Sequence, residues 1–441
     1  MLLDRPSRAA RRSGWRLPLA ACIGCALLAL AGCSAVGLPN VGTEVAGPPA
    51  TPLVLAGRDG APTITSRADW EARGGADLRS AFQSLIYGQM PAALPVRVVT
   101  RTTLAPDLDN LGTAEQWIVQ IGAPSQDLSF AMVLLLPRTD RPEPAPVILM
   151  QNFCGNALSL RGVAGVDPPR RGTPPECGNS LMLPLVPVIF GGAIMSPPLE
   201  QILAAGYGVA MVYAGDVVPD DPALAEPVLA ALTPPGTDPA QRPGAIAGWA
   251  WTYQRTMDAL AGDPRVASDR MVLWGHSRNG KAALLAAAMD PRPAAVIALQ
   301  AGTAGASLGR DDVGESIAQI TKAFPHWFAP AYASWGARQS ELPLDQHQLL
   351  ALIAPRPVLL GSARRDRWSD PHGAVRAAAG ASPVYQLYGA APFRQRDLRT
   401  PDFAPQLVTY MRPGLHGIHT EDWDQALAFL DRKLPAGQAA R

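Results

Sequence analysis

The run Met271-Val272-Leu273-Trp274-Gly275-His276-Ser277-Arg278-Asn279-Gly280-Lys281 decides the fold. Its first four residues are apolar without alternation, as a strand buried on both faces requires. After Lys281 the Ala-rich stretch 282–288 favours helix. Ser277 lies between the two, so the chain reads as strand, sharp turn and helix with a hydroxyl at the turn. A group held there meets the amino end of a helix, whose dipole favours developing negative charge. Gly275 and Ala282 are small enough to let helix and strand cross closely. The pattern departs from G-x-S-x-G in one place: Asn279 occupies the second glycine position and Gly280 follows.

Outward from this run the same alternation repeats. Short apolar runs at 147–151, 209–213, 296–299, 358–361 and 407–411 are interleaved with helical stretches at 246–260, 281–289, 314–323, 345–353 and 422–434. Two β-rich runs, 117–121 and 128–135, predict a hairpin through 122–126. The fold class is therefore α/β, a mostly parallel central sheet with helices on both faces in a three-layer sandwich. Ligands in such folds bind at the carboxyl ends of the strands. Pro-rich stretches at 167–199 and 214–243 interrupt the pattern and are candidate walls of a cleft. With 48% hydrophobic and 17% charged residues in 441, disorder is excluded. A net charge of +1, with no basic cluster past the N-terminus, leaves no footprint for nucleic acid.

Residues 1–32 read as an export signal. Arg5, Arg8, Arg11, Arg12 and Arg16 precede an apolar run at 17–30 that is too short for a comfortable membrane span. The run ends in Leu30-Ala31-Gly32-Cys33, which resembles a bacterial lipobox, so Cys33 is expected to carry lipid. The expectation is an exported lipoprotein, anchored through Cys33 to a membrane, with Ser34 pointing to the outer membrane or periplasm. Residues 33–62 are Gly/Ala/Pro-rich and are expected to form the lipidated Cys and a flexible tether, leaving 63–441 as the folded body. Of five cysteines only Cys154 and Cys177 remain in that body, either as a disulfide or as two buried thiols. The spacing offers no metal site, and no cofactor is expected.

A serine hydroxyl needs a base, and the base a carboxylate to orient it. Of the six histidines, His416 and His419 follow the last predicted strand, and His416 is flanked by Gly414 and Gly417. His416 is taken as the base, with His419 as loop scaffolding, His276 as packing and His347 as a structural hydrogen bond. The strand at 358–361 runs into Ser362-Ala363-Arg364-Arg365-Asp366, which makes Asp366 the acid and Asp370 its reserve. α/β-hydrolases carry their acid in such a turn, and the order Ser, acid, His is theirs. The backbone N–H of Arg278 and the loop Asn152-Phe153-Cys154-Gly155-Asn156 are candidate oxyanion donors. The Arg278 side chain would add charge there, or else hold the turn through a salt bridge.

Gly275-His276-Ser277-Arg278-Asn279-Gly280-Lys281 resembles the Gly-[Cys/His]-Ser-Arg-x-Gly-Lys signature of the glucuronoyl esterases, carbohydrate esterase family 15. Phe324-Pro325-His326-Trp327-Phe328, Leu342-Pro343-Leu344-Asp345-Gln346-His347 and Arg412-Pro413-Gly414-Leu415-His416 are similar to bacterial members, over about residues 65–437. The resemblance implies an α/β-hydrolase cleaving the ester between a lignin alcohol and the 4-O-methyl-glucuronate of glucuronoxylan. It implies Ser277 as nucleophile, His416 as base, Arg278 at the oxyanion, and Lys281, Glu315 and Trp368 against the sugar. Some members carry a Glu after the sixth strand; here that position reads Leu299-Gln300-Ala301-Gly302, so Asp366 must serve. The enzyme is read as a monomer acting on a carbohydrate ester. The alternatives are a carbohydrate acetyl esterase or other carboxylesterase of the same fold, and a non-catalytic polysaccharide-binding surface lipoprotein.

Overall fold

The apolar runs become strands β1 (Val96–Pro106), β2 (Gly112–Ile121), β3 (Leu128–Pro137), β4 (Ala145–Gln151), β5 (Val163–Ala164), β6 (Gly208–Val212), β7 (Val266–His276), β8 (Ala295–Leu299), β9 (Val358–Ala363) and β10 (Leu407–Arg412). The structure is a computed structural model that describes residues 40–434 except 45–50, 59, 107, 109, 139–142, 172–176, 178–190, 195, 312 and 395–396. The export signal 1–32 and Cys33 lie outside the described residues.

The strands form one sheet in the order β10-β9-β8-β7-β4-β6-β3-β2-β1-β5. From β6 to β10 every pairing is parallel, and β1, β2 and β3 add an antiparallel extension. The predicted hairpin joins β2 to β3 with Ile121 opposite Leu128. β6, β8, β9 and β10 are buried along their whole length, the behaviour of parallel strands covered on both faces.

The period of two along these strands divides the core. Leu149, Leu273, Val296 and Leu360 face one apolar cluster, while Ile148, Val272, Ile297 and Leu359 face the other. Helix α1 (Gly75–Phe82) belongs to the first side and α2 (Leu199–Ala204) to the second. The first side also takes α3 (Pro222–Leu232), α4 (Ala245–Leu260), α5 (Arg278–Met289), α6 (Ile317–Ala323), α7 (Gln346–Ala351) and α8 (Pro371–Leu387). The second is closed by α9 (Thr420–Lys433), whose Trp423, Ala426, Phe429 and Leu430 are buried. This is the expected three-layer α/β-hydrolase sandwich.

Two expectations are corrected. The helix expected from 314 starts only at Ile317, because Ser316 caps it: Ser316 Oγ accepts from Gln319 N (3.2 Å) and Gln319 Oε1 from Ser316 N (2.8 Å). The tether expected through residue 62 is partly docked. Val41 N donates to Arg364 O (2.7 Å), Leu398 N to Thr43 O (3.0 Å) and His347 Nε2 to Pro52 O (2.7 Å). Val54 and Ile64 join Trp70 in the core, so the apolar residues of this stretch outweigh its glycines and prolines. Helix α8 was illegible in sequence, since Pro383 interrupts it and its Ala/Gly-rich composition gives little amphipathic contrast.

Trp423 is fully buried and stacks on Trp274 of β7, centroids 5.1 Å apart, which ties α9 to the strand that carries Ser277. Trp423→Ala is expected to cost about 3–5 kcal/mol, read from urea unfolding.

Candidate active site

Every parallel strand ends on one edge of the sheet, and there the structure gathers the expected residues. β7 ends in His276 and passes directly into α5 at Arg278, leaving Ser277 between them at φ 55°, ψ −124°. Such a backbone is costly for a side chain bearing Cβ and is the strained turn anticipated from the sequence. The close crossing that enforces it is visible at Gly275, where a Cβ would come within 2.2 Å of Asn279 O. Asn279 explains the departure from G-x-S-x-G, because its Nδ2 donates to Gln151 O at the end of β4 (3.0 Å). Gly280, one residue later, lies against Ala301, where a Cβ would approach the Ala301 Cβ to 3.1 Å.

His416, in the loop after β10, is held through Nδ1 by Asp366 Oδ2 at 2.8 Å. Asp366 Oδ1 accepts from Ser369 N (3.3 Å), which fixes the carboxylate plane. Burial pushes the Asp366 carboxyl up, but the facing His416 and the hydrogen bonds from His416 and Ser369 outweigh it, so the group sits below the ordinary Asp value and stays ionised. With Nδ1 so committed, Nε2 of His416 is the nitrogen left to exchange a proton. The reserve, Asp370, is used elsewhere: its Oδ1 caps α8 at Gly373 N (2.9 Å), and Arg376 lies 3.7 Å from its other oxygen.

The other histidines separate cleanly. His276 is buried with its ring 4.6 Å from that of His416, and burial holds its pKa well below the usual value, so it is neutral and adds no charge beside the base. His419 caps α9, its N–H donating to Asp422 Oδ2 at 2.8 Å. His326 bonds Asp220 Oδ1 at 2.9 Å.

Gln300 is a site residue that sequence reading passed over as a mere departure. It sits just past β8 at φ 50°. Its Oε1 accepts from Gly417 N (2.7 Å) and lies 3.2 Å from His276 Nε2, while its Nε2 donates to Gly417 O (3.0 Å). The amide thus grips both sides of the residue that follows His416. Of six non-glycine residues with positive φ among those described, Ser277, Gln300, Ala304 and Asp370 all surround the site.

Three further predicted residues line the same edge. Lys281, one turn past Ser277, is buried and donates to Ala301 O (2.7 Å) and Thr303 O (2.5 Å). Burial lowers its pKa to about 8, against the charges of Glu315 and Asp366 that raise it. Glu315 is also buried, and it lies just before the cap at Ser316 instead of within helix α6. Burial raises the Glu315 pKa, partly offset by Lys281 and by the Trp368 side chain, which donates to it. The Trp368 ring is 54% exposed, an apolar plate anchored at the rim by its own N–H.

Arg278 realises the salt bridge named as the alternative to an oxyanion role. Its Nη1 pairs with Asp220, and its guanidinium lies over Phe153 (4.9 Å) and Trp249 (5.6 Å). One of five N–H donors meets Asp220, so the pair and a role at the oxyanion are compatible. Asp220 comes from the Pro-rich stretch 214–243, which carries no period, and nothing in the sequence singled it out. Cys154 and Cys177 form a disulfide that ties the other excursion to the loop after β4.

A serine on a strained strand-to-helix turn, with an imidazole and carboxylate converging from the next strands, defines a carboxylic-ester hydrolase of the α/β-hydrolase fold. Residues 238–389 match the family model described as "Glucuronyl esterase, fungi". A carbohydrate esterase of an unknown prokaryotic organism is 30% identical over 88% of this chain and 89% of its own. The 4-O-methyl-glucuronoyl methylesterase 1 of Wolfiporia cocos is 25% identical over 75% of this chain and 70% of its own. The solved glucuronoyl esterase from Solibacter usitatus superimposes with a TM-score of 0.74 at 31% identity, covering 90% of this chain and 100% of that one. The chain belongs to the glucuronoyl esterases, carbohydrate esterase family 15.

Removing the Gln300 amide leaves the buried Gly417 N–H without its acceptor, while Gly417 O keeps the Arg412 guanidinium. Gln300→Ala is expected to lower stability by about 1–3 kcal/mol and to cut kcat on a chromogenic ester at least about tenfold, with KM changed less than about twofold. Unfolding and steady-state kinetics check both.

Proposed function

We propose that the enzyme hydrolyses 4-O-methyl-glucuronoyl esters that link glucuronoxylan to lignin alcohols, with Ser277, His416 and Asp366 as the catalytic triad. The observation that carries this reading is the grouping of Lys281, Glu315 and the exposed Trp368 on the edge that bears Ser277. A charged donor, a buried acceptor and an aromatic plate together suit a sugar ring with adjacent hydroxyls.

Ser277 Oγ attacks the ester carbonyl as His416 Nε2 takes its proton. Asp366 holds the imidazole in the required tautomer and offsets the imidazolium charge. The tetrahedral oxyanion takes the backbone N–H of Arg278, the first of α5, together with the Arg278 side chain. In the loop after β4 the N–H groups of Asn152 and Gly155 donate to Val212 O and Asn152 Oδ1, which holds the loop 152–156 that is the candidate source of a second oxyanion donor. His416 returns its proton to the departing alcohol, and a water molecule activated by the same imidazole releases the uronate from Ser277.

We also propose that the chain is exported as a monomer, with Cys33 lipidated and holding it to a bacterial membrane. The Leu30-Ala31-Gly32-Cys33 run and the Cys154–Cys177 disulfide support export. In the producing cell, Cys33→Ala is expected to abolish incorporation of labelled palmitate and shift the protein to the soluble fraction; unchanged labelling would sink the anchor.

The soluble body is expected to hydrolyse benzyl glucuronate, and Ser277→Ala to lower kcat by at least about a thousandfold. Turnover of an acetyl ester alone would keep the triad and discard the uronate. A second outcome follows from the Lys281 ammonium, which has three hydrogens, two of them committed at 2.7 and 2.5 Å. Loss of its proton above pH about 8 removes the third donor. KM for benzyl glucuronate should therefore rise several-fold between pH 7 and 9.5 with kcat nearly unchanged, and Lys281→Met should show a high KM that no longer varies with pH.

A further inference from the structure

Asp220, whose side chain is 12% exposed, is a carboxylate at the site that ester hydrolysis does not call for. It is locked from three sides. Arg278 Nη1 pairs with Oδ2, and Oδ1 accepts from His326 Nε2 (2.9 Å) and Trp327 Nε1 (2.7 Å). The segment bearing those two donors is itself fixed to the start of α4, with Ala245 N on His326 O (2.8 Å) and Ile246 N on Trp327 O (3.1 Å). Burial pushes the Asp220 carboxyl up, and the Arg278 charge and the hydrogen bonds from His326 and Trp327 more than offset this, so the group is ionised. Phe153 and Trp249 confine the guanidinium, which is 17% exposed.

The chemistry of the reaction gives this arrangement a purpose. An ester is neutral at its carbonyl, whereas the acid product is a carboxylate. An uncompensated Arg278 at the amino end of α5 would hold the product anion more tightly than the substrate. A fixed countercharge cancels the long-range field and leaves the remaining guanidinium hydrogens aimed at the short-lived oxyanion, where directed donors at contact distance matter most. The Glu315 charge acts on Lys281 at longer range, favouring its charged form against burial.

We propose that Asp220 is a positioning residue that aims the Arg278 guanidinium and neutralises its charge, so that the site releases the uronate anion it produces. This rests on the uronate-ester reading above. The test compares two ligands, glucuronate and its neutral methyl ester, bound to the Ser277→Ala protein and followed by calorimetry. With Asp220 present, the anion should bind no more tightly than the ester. Adding Asp220→Asn, which keeps the shape and removes the charge, should tighten glucuronate about tenfold and change the methyl ester less than about twofold. In the otherwise intact enzyme the same substitution should lower kcat several-fold and strengthen product inhibition by glucuronate. A merely structural role would weaken both ligands together, and that result overturns the proposal. So does a tenfold preference for the anion with Asp220 in place, a measurement that needs no Asp220 variant. Binding of neither ligand, with acetyl-ester turnover retained, removes the uronate reading and the proposal with it.

Discussion

The close crossing of β7 and α5 at Gly275 is the constraint on which the site depends. With no room for a Cβ there, the chain can pass from strand to helix only through a left-handed residue, and Ser277 at φ 55° is that residue. A backbone of this kind costs on the order of 1–3 kcal/mol and survives only where the surroundings over-determine it. Here Ser277 N donates to Leu299 O (2.9 Å), Lys281 N to Ser277 O (3.1 Å) and Asn279 Nδ2 to Gln151 O (3.0 Å). The turn is thereby bonded to the strands on both sides, β4 and β8. The sheet in turn is held by two apolar layers, so the strain is balanced by packing far larger than itself.

Around this turn the charges are arranged by burial. His276 is kept neutral at 4.6 Å from His416, so the base forms its imidazolium without a cationic neighbour on that side. Asp366 stays ionised in spite of burial because its two oxygens each have a donor. Burial lowers the Lys281 pKa to about 8, and the charges of Glu315 and Asp366 partly reverse this. Each group's state follows from which of its partners were buried with it.

The legible part of the molecule is the part with a period. Unbroken apolar runs give β4, β6, β8, β9 and β10, and the strand-turn-helix run gives Ser277; His416 and Asp366 follow from strand ends and chain order. What escaped has no period to read. Helix α8 is blurred by Pro383 and by small residues, and the helix expected from 314 begins at Ile317, which leaves Glu315 outside it. Asp220 lies in a Pro-rich excursion and acquires meaning only when His326, Trp327 and Arg278 arrive from other parts of the chain. Partnerships across some hundred residues leave no mark on local sequence.

Gln300 and Asp366 are best understood as one choice. At the end of β8 the side chain of residue 300 points into the loop that carries His416, and its Nε2 donates to Gly417 O (3.0 Å). A carboxylate there would set an oxygen against that carbonyl, with repulsion in place of a hydrogen bond. The amide avoids this and, having both a donor and an acceptor, satisfies the whole Gly417 peptide. Being neutral, it cannot stabilise an imidazolium, so the negative charge must come from the next strand, where Asp366 reaches Nδ1 at 2.8 Å. The neighbour that fixes the loop and the neighbour that fixes the charge are thus separate residues on adjacent strands, and the position of one dictates the chemistry of the other.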